Sequence, residues 1–356
     1  MGTNKALTFS DVLIKPKYST IDSRSKEVDI GCDFGKFKLD LPVFSANMKS
    51  ITEHKMAIEM YNCGGMGVLH RFCTIEQAVN EYKTTVNEIY KNEVFNGTFI
   101  QNWSARINFY STAVSIGVQE EDRKRFEALY SVNARVFVID IAHGHCKKMK
   151  EQIQWIKNNY DDVYIIAGNI ATPEAARDLA EWGANVVKCG IGPGSACMTR
   201  RNTGVGVPAL YAAETILEEI TNMNPRPKLI LDGGIKYSGD VSKALKYADA
   251  VMLGSYISGT TETPGQVFKD ENDKHYKVYQ GSASGESKIA NGQTSDYVEG
   301  IAMKVPFRGH VKYILKDLKQ CVQSAFSYTN SRTLDEFHKN CEFIEITGGG
   351  KAESKI

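Results

Sequence analysis

One cysteine sits where a packing role is hard to explain. Cys197 lies in the stretch GIGPGSACMTRR, from Gly190 to Arg201, a glycine- and proline-rich turn directly after an apolar run. An ordinary thiol has a pKa near 8.5 and is only about 3% thiolate at neutral pH. Backbone dipoles in a tight loop, or a nearby helix N-terminus, raise that fraction. Cys197 is therefore a candidate nucleophile, with an inert loop cysteine as the alternative. Thr199, two residues on, can donate or accept a proton near the sulfur. Gly192, Pro193 and Gly194 let the backbone fold closely and turn its carbonyls towards a cation. The AHGH stretch adds His143 and His145, an H-x-H pair. No Cys/His/carboxylate cluster of ligand spacing accompanies it, so a structural or substrate-contacting role is preferred to a metal site. His70 reads equally well as a satisfied buried histidine.

Short apolar runs must position these groups. Eight recur: PVFSAN from Pro42, GMGVLH from Gly65, TAVSIGV from Thr112, VFVIDIAH from Val136, VYIIAGNI from Val163, NVVKCGIG from Asn185, KLILDGG from Lys228 and AVMLGSYI from Ala250. Most are too short for helices and too uniformly apolar for half-exposed strands, which fits parallel strands buried on both faces. Helix-like segments lie between them. TPEAARDLAEWGA, from Thr172, carries a capping residue, a first-turn proline and Glu174. Strand and helix alternating about eight times predicts an α/β fold, a (β/α)8 TIM barrel in a single domain over residues 1–356. A doubly wound open sheet is the alternative, but no G-x-G-x-x-G stands after an early strand.

In such a barrel the chemistry sits on the loops after the strands. Those loops hold Asn47 and Met48, His70 and Arg71, Asp140, Asn169, the cysteine loop, Asp232-Gly233-Gly234 and Gly254-Ser255. Glycine-rich turns after strands seven and eight, leading into helices, read as a phosphate cradle. Two stretches break the alternation. Residues from about 87 to 110 are polar and aromatic with no clear period. Residues 261–307 read as a long loop, a mobile flap-like insertion after strand 8 of the kind that serves as a lid or binding loop. Residues 345–356 are expected to form a flexible tail.

With 356 residues, 42% of them hydrophobic, the chain has enough apolar content for a sizeable core. A net charge of +1 gives no basic field for nucleic acid and no polybasic patch for a membrane. No apolar run approaches the roughly 18 residues of a membrane helix. The stretch MGTNKALTFS has no secretory core, and Ala6 breaks the myristoylation pattern. A cytoplasmic protein with eight free thiols is expected.

KCGIGPGSACMTRRNTGVGVPAL, from Lys188, resembles the cysteine loop of the GMP reductase and IMP dehydrogenase family, the reductases more closely. LTFSDVLIKPKYST, SANM, AGNIATPEAARDLAEWGAN, LILDGGIKYSGDVSKAL, AVMLGS and VPFRGHV follow in family order, so the resemblance spans most of the chain. It implies a barrel that binds a purine nucleotide, with Cys197 attacking purine C2 to form a covalent thioimidate. A reductase expels ammonia from GMP and reduces the adduct with NADPH to IMP. A dehydrogenase oxidises IMP with NAD and hydrolyses the adduct, using an Arg-Tyr pair on its flap. The stretch from Gly281 to Gly309 contains no Arg-Tyr dipeptide, and no tandem regulatory domain follows strand 2. Both features favour reductase, hence a role in purine salvage. A dehydrogenase without its regulatory domain and a non-catalytic nucleotide-binding barrel are the alternatives.

Position by position, the resemblance makes Cys197 the nucleophile, with Thr199 and Glu299 relaying the proton to the 2-amino group. Asp232, Gly233, Gly234, Gly254, Ser255, Gly281, Ser282 and Ala283 would hold ribose and phosphate. Asp296, Tyr297, Val298 and Gly300 would lie along the nucleotide. Arg71, Asp140, Ile141, Ala142, Ile191, Gly192 and Ser282 would face NADPH. Ser23, Arg24, Ser324, Ala325, Phe326 and Ser327 would reach the adenosine half from a neighbouring subunit of a homotetramer. Carbonyls of Gly192, Gly194, Cys197 and Arg200 would bind potassium. Four features depart from the reductase pattern: AHGH and GMGVLHR lean towards the dehydrogenase, Asp296 stands where an arginine is usual, and Ser255 replaces the cradle's second glycine after strand 8.

Overall fold

A computed structural model describes residues 5–95, 109–281 and 301–353. The eight apolar runs form eight parallel strands: β1 (Val43–Ser45), β2 (Met66–Leu69), β3 (Ala113–Ile116), β4 (Val136–Asp140), β5 (Tyr164–Ile170), β6 (Val186–Cys189), β7 (Lys228–Asp232) and β8 (Ala250–Leu253). They close into a barrel in sequence order, with Val251 of β8 opposite Val43 of β1. The protein is a (β/α)8 TIM barrel. Nearly every strand residue is buried on both faces, which is why the runs lack polar alternation.

Each strand leads to a helix on the outside: α1 (His54–Asn62), α2 (Ile75–Phe95), α3 (Glu120–Ser131), α4 (Lys147–Asn159), α5 (Pro173–Glu181), α6 (Ala209–Ile220), α7 (Ser238–Ala244) and α8 (Val311–Tyr328). Local chemistry sets their ends. Thr172 Oγ1 accepts from Ala175 N at 3.3 Å and Pro173 opens α5. Asp240 accepts from Lys236 N and Tyr237 N at the start of α7. Helix and strand approach closely where side chains are absent: a Cβ on Gly67 of β2 would lie 2.4 Å from Ala57 Cα of α1.

Three segments differ from the sequence expectation. The stretch from residue 87 is not irregular at its start, because α2 continues to Phe95. Ala78, Tyr82, Val86 and Ile89 are buried at helical spacing, and Thr85 between them returns its hydroxyl to the Glu81 carbonyl at 2.8 Å. Residues 261–307 are not one long loop. Phe268–Lys269, His275–Gln280 and Ala302–Pro306 form a three-stranded antiparallel sheet whose alternating residues half-bury one face, and only residues 282–300 between them lie outside the described residues. The stretch 345–356 carries regular structure as far as Glu353, although its helix buries no residue. Phe343–Glu345 pairs antiparallel with Val12–Ile14, and a helix follows over Gly348–Glu353.

Candidate active site

A cleft of about 350 Å³ opens at the C-terminal ends of the barrel strands, within the range of small-molecule sites. Its floor is made by the last residues of the strands, and its wall by the cysteine loop. That loop leaves β6 at Gly190, where φ is +153° and a Cβ would stand 2.0 Å from the Asp232 carbonyl oxygen, so only glycine lets β6 pass β7 here. The loop then turns on a Cys197 N–H bond to the Gly194 carbonyl at 3.0 Å. Ile301 N–H donates to the Ala196 carbonyl, which ties the loop to the residue just before the strand Ala302–Pro306.

Cys197 is partly exposed in the cleft, and its Sγ lies 3.2 Å from Thr199 Oγ1. The other cysteine of this segment behaves oppositely. Cys189 is fully buried at the end of β6, and burial, then the Asp232 charge, push its thiol up to about 12. Of the two, only Cys197 can meet a ligand as a nucleophile.

Two important groups escaped the sequence reading. Lys188 is 1% exposed inside the barrel, on β6. Its Nζ donates to Asp140 Oδ1 of β4 at 2.7 Å, to Asp232 Oδ2 of β7 at 2.9 Å and to Asn169 Oδ1 of β5. Asn169 Nδ2 also donates to Asp232 Oδ2, at 3.0 Å. Burial alone would lower the Lys188 pKa, but the two carboxylates outweigh it and the value rises above the ordinary 10.5. Burial alone would raise Asp140; the Lys188 ammonium outweighs it and holds the carboxyl below 3.8. The signal was a lone charge inside the apolar run NVVKCGIG. Tyr279 is the second group. It is 4% exposed on the strand His275–Gln280, and its hydroxyl reaches the cleft beside Gly254, with Met48 Sδ at 3.6 Å. Burial, then the nearby Asp232 and Cys197, raise its phenol, so it remains an O–H donor at neutral pH.

Most of the residues singled out in the sequence meet in this cleft: Cys197 and Thr199; Asp232, Gly233, Gly234, Gly254, Ser255 and Gly281; Arg71, Asp140, Ile141 and Ala142; Ile191, Gly192 and Gly194. The glycine turns differ from helix-end cradles. After Gly233 (φ +92°) and Gly234 (φ +81°), α7 begins only at Ser238, with Asp240 accepting from the Lys236 and Tyr237 amides just before it, and Gly254 leads into a single 3-10 turn, Ser255–Ile257. The amides offered there belong to the turns and not to a long helix dipole. Ser282, Ala283, Asp296, Tyr297, Val298, Glu299 and Gly300 lie outside the described residues. Arg200 does not line the cleft; its carbonyl accepts from Gly204 N–H at 3.0 Å.

The residues expected to reach the adenosine half of a cofactor lie outside this cleft. Arg24 Nη1 donates to Ser324 Oγ on the outer surface, and Ser23 flanks it. Phe326 cannot touch a ligand: it is fully buried and stacks on Phe337 with centroids 4.0 Å apart. The α8 period buries Leu315, Leu318, Val322 and Phe326 together. His145 Nε2 pairs with Asp178 Oδ2 at 2.9 Å, and His70 Nδ1 accepts from Phe72 N–H at 3.1 Å. Among the described residues no helix is long and apolar enough to cross a membrane.

This arrangement, a thiol beside a hydroxyl above a carboxylate–lysine floor, can be set against known proteins. Residues 6–356 match the family model for the IMP dehydrogenase / GMP reductase domain. The chain belongs to the IMP dehydrogenase / GMP reductase family. It is 34% identical to the GMP reductase of Lactobacillus johnsonii, over 93% of this chain and 92% of that protein. It is also 34% identical to the inosine-5'-monophosphate dehydrogenase of Cryptosporidium parvum, over 100% of this chain and 96% of the relative. The crystal structure of a cysteine-to-alanine variant of Trypanosoma brucei GMP reductase, in complex with guanosine 5'-monophosphate, superposes with a TM-score of 0.88 at 26% identity, covering 99% of this chain and 98% of that one. The identities to reductase and dehydrogenase are equal, so the direction of this family member's reaction has to be argued from the site.

Proposed function

We propose that the protein is a GMP reductase, which converts GMP, NADPH and two protons to IMP, NADP and an ammonium ion. The observation that carries this reading is the partly exposed Cys197 thiol, 3.2 Å from Thr199, in a chain with no Arg-Tyr dipeptide between Gly281 and Gly309. The site can make a covalent adduct, and the sequence lacks the groups that resemblance assigns to water activation. The likeness to a GMP reductase solved with GMP agrees with a purine nucleotide in the cleft.

In this reading Cys197 Sγ attacks purine C2. Thr199 and Glu299 pass a proton to the 2-amino group, the C2–N bond breaks, and ammonia leaves a thioimidate. NADPH, held against Arg71, Asp140 and Ile141, would supply the hydride that C2 takes up. The C2–S bond then breaks, the sulfur keeps the electron pair, and the Cys197 thiolate is restored. Asp232 takes the nucleotide ribose hydroxyls, and the amides of Gly233, Gly234, Gly254 and Gly281 take the phosphate, together with Tyr279. Met48, Phe72, Ile141 and Ala142 give apolar surface for a flat nicotinamide ring. Arg71 fits the cofactor side, because its buried Nε has no hydrogen-bond partner among the described residues. Potassium is the proposed ion beneath the loop, taken by carbonyls of Gly192, Gly194, Cys197 and Arg200. Two of these already accept one N–H each and keep a second lone pair. A homotetramer, in which Ser23, Arg24, Ser324 and Ser327 meet a neighbour's cofactor, belongs to the same reading.

A dehydrogenase acting on IMP is the second reading, favoured by relatives of that name and by the AHGH stretch. Two parallel tubes separate them. Protein with GMP and NADPH loses the absorbance of reduced nicotinamide and releases ammonia; protein with IMP and NAD shows no gain. A gain in the second tube with no loss in the first overturns the proposal.

A further inference from the structure

The Lys188 ammonium, buried in the barrel mouth, joins the two halves of the cleft. Asp140 and Asp232 come from β4 and β7, strands that do not pair, and each would serve a different ligand in the reading above: Asp140 the cofactor and Asp232 the nucleotide. Both touch the same Lys188 nitrogen, at 2.7 and 2.9 Å, so they face each other across a single ammonium. Its side chain is 1% exposed and theirs 23% and 22%. Water therefore reaches the carboxylates from the ligand side, while the lysine holds them from beneath. Gly168 of β5 keeps this geometry possible, since a Cβ there would lie 2.5 Å from the Lys188 carbonyl oxygen and 2.8 Å from its Cβ.

We propose that Lys188 is a positioning residue that keeps Asp140 and Asp232 ionised together, so that both remain acceptors for ligand hydroxyls and the two half-sites are electrostatically linked. The linkage, though not the charge arrangement, rests on the functional reading above. Without the ammonium, two carboxylates share one partly desolvated site, and one of them takes a proton. A protonated carboxyl donates where it previously accepted, so the half-site it serves weakens. Among the described residues, the other charged and titratable groups that face the pair are few. Arg71, from the β2 loop, acts on Asp140; Tyr279 and the buried Cys189 face Asp232, and Cys197 stands above them. Arg71 is the only remaining cation among them, and it favours Asp140. Asp232 is therefore the carboxyl that protonates.

The test uses Lys188→Met and Lys188→Arg in the full chain. Carboxyl carbon NMR of aspartate-labelled, ligand-free protein reads the titrations directly, with Asp140→Asn and Asp232→Asn for assignment. In Lys188→Met, Asp232 moves up by more than about one pH unit, and Lys188→Arg restores it. Calorimetry with GMP then shows affinity for Lys188→Met falling at least about tenfold as pH drops through that raised value, against a flat wild-type profile. Folded Lys188→Met protein with both carboxyls titrating as in the wild type overturns the proposal. If Lys188→Met does not fold, Lys188→Met/Asp140→Asn decides. That variant carries no facing pair, so folding with Asp232 near its ordinary range supports the proposal, and failure to fold contradicts it. Wild-type protein that does not bind GMP counts against the functional reading alone, because the ligand-free titration still decides the role of Lys188.

Discussion

Replacing Tyr279 by phenylalanine separates a ligand role from a folding role, because the hydroxyl has so little to do in the protein alone. It is buried, and the partner the structure gives it is Met48 Sδ at 3.6 Å. A thioether is a weak acceptor, so losing this contact changes folding stability by less than about 1 kcal/mol. The hydroxyl lies beside Gly254, close enough that a Cβ there would stand 3.2 Å from its oxygen. If the glycine turns hold a phosphate, the phenol donates to a charged oxygen. Such a bond contributes about 1.5–3 kcal/mol, a tenfold to roughly 150-fold loss in affinity when it is removed. Raised by burial, the phenol stays protonated through pH 9, so the loss is the same at pH 7 and pH 9. Titration calorimetry with GMP and with guanosine measures it. GMP binding by Tyr279→Phe weakens by that factor, guanosine binding stays within about twofold, and the melting temperature hardly moves. Unchanged GMP affinity, or an equal loss for guanosine, refutes the placement of phosphate at these turns.

Glu299→Gln abolishes ammonia release while GMP binding stays within a few-fold of wild type, read by an ammonia assay beside calorimetry; full activity contradicts the proton relay. Gly67→Ala forces a methyl to within 2.4 Å of the α1 backbone, which cannot move aside, so it costs about 2–3 kcal/mol in urea unfolding. Asp140→Asn breaks one arm of the Lys188 cluster while Asp232 still pairs the ammonium, and it costs about 1.5–3 kcal/mol at pH 7. The folded pKa of Asp140 lies below its ordinary 3.8, so this contribution is present above that value and is lost as pH falls through the depressed one. Urea midpoints of wild type and variant therefore differ by a constant amount from pH 7 to about 5, and the gap closes only as pH falls below the ordinary 3.8 and through the depressed value.

How much of this was legible depended on whether the cause was local. The barrel strands declare themselves because burial on both faces removes polar residues from a short run, a property of neighbours in sequence. Cys197 was legible for the same reason: glycine and proline around a lone thiol describe a loop. Lys188 was visible as a charge inside NVVKCGIG, yet its meaning depends on Asp140 and Asp232, far away in sequence and brought together only by barrel closure. Tyr279 looked like an ordinary strand aromatic, and nothing near it in sequence announces Gly254 or Met48. Two misreadings had local remedies. The burial period of Tyr82, Val86 and Ile89 already carries α2 towards residue 95, and the period through Leu315, Leu318 and Val322 places Phe326 in the core, away from any cofactor.

The most direct test of the whole account is to look for the bond itself. Protein turning over GMP with NADPH is quenched in acid, and the peptide containing Cys197 is weighed. The account predicts a purine nucleotide attached to that sulfur, present in wild type, absent in Cys197→Ala, with no nucleotide on the peptide containing Cys189. Steady turnover with the Cys197 thiol unmodified and freely alkylated throughout would contradict it.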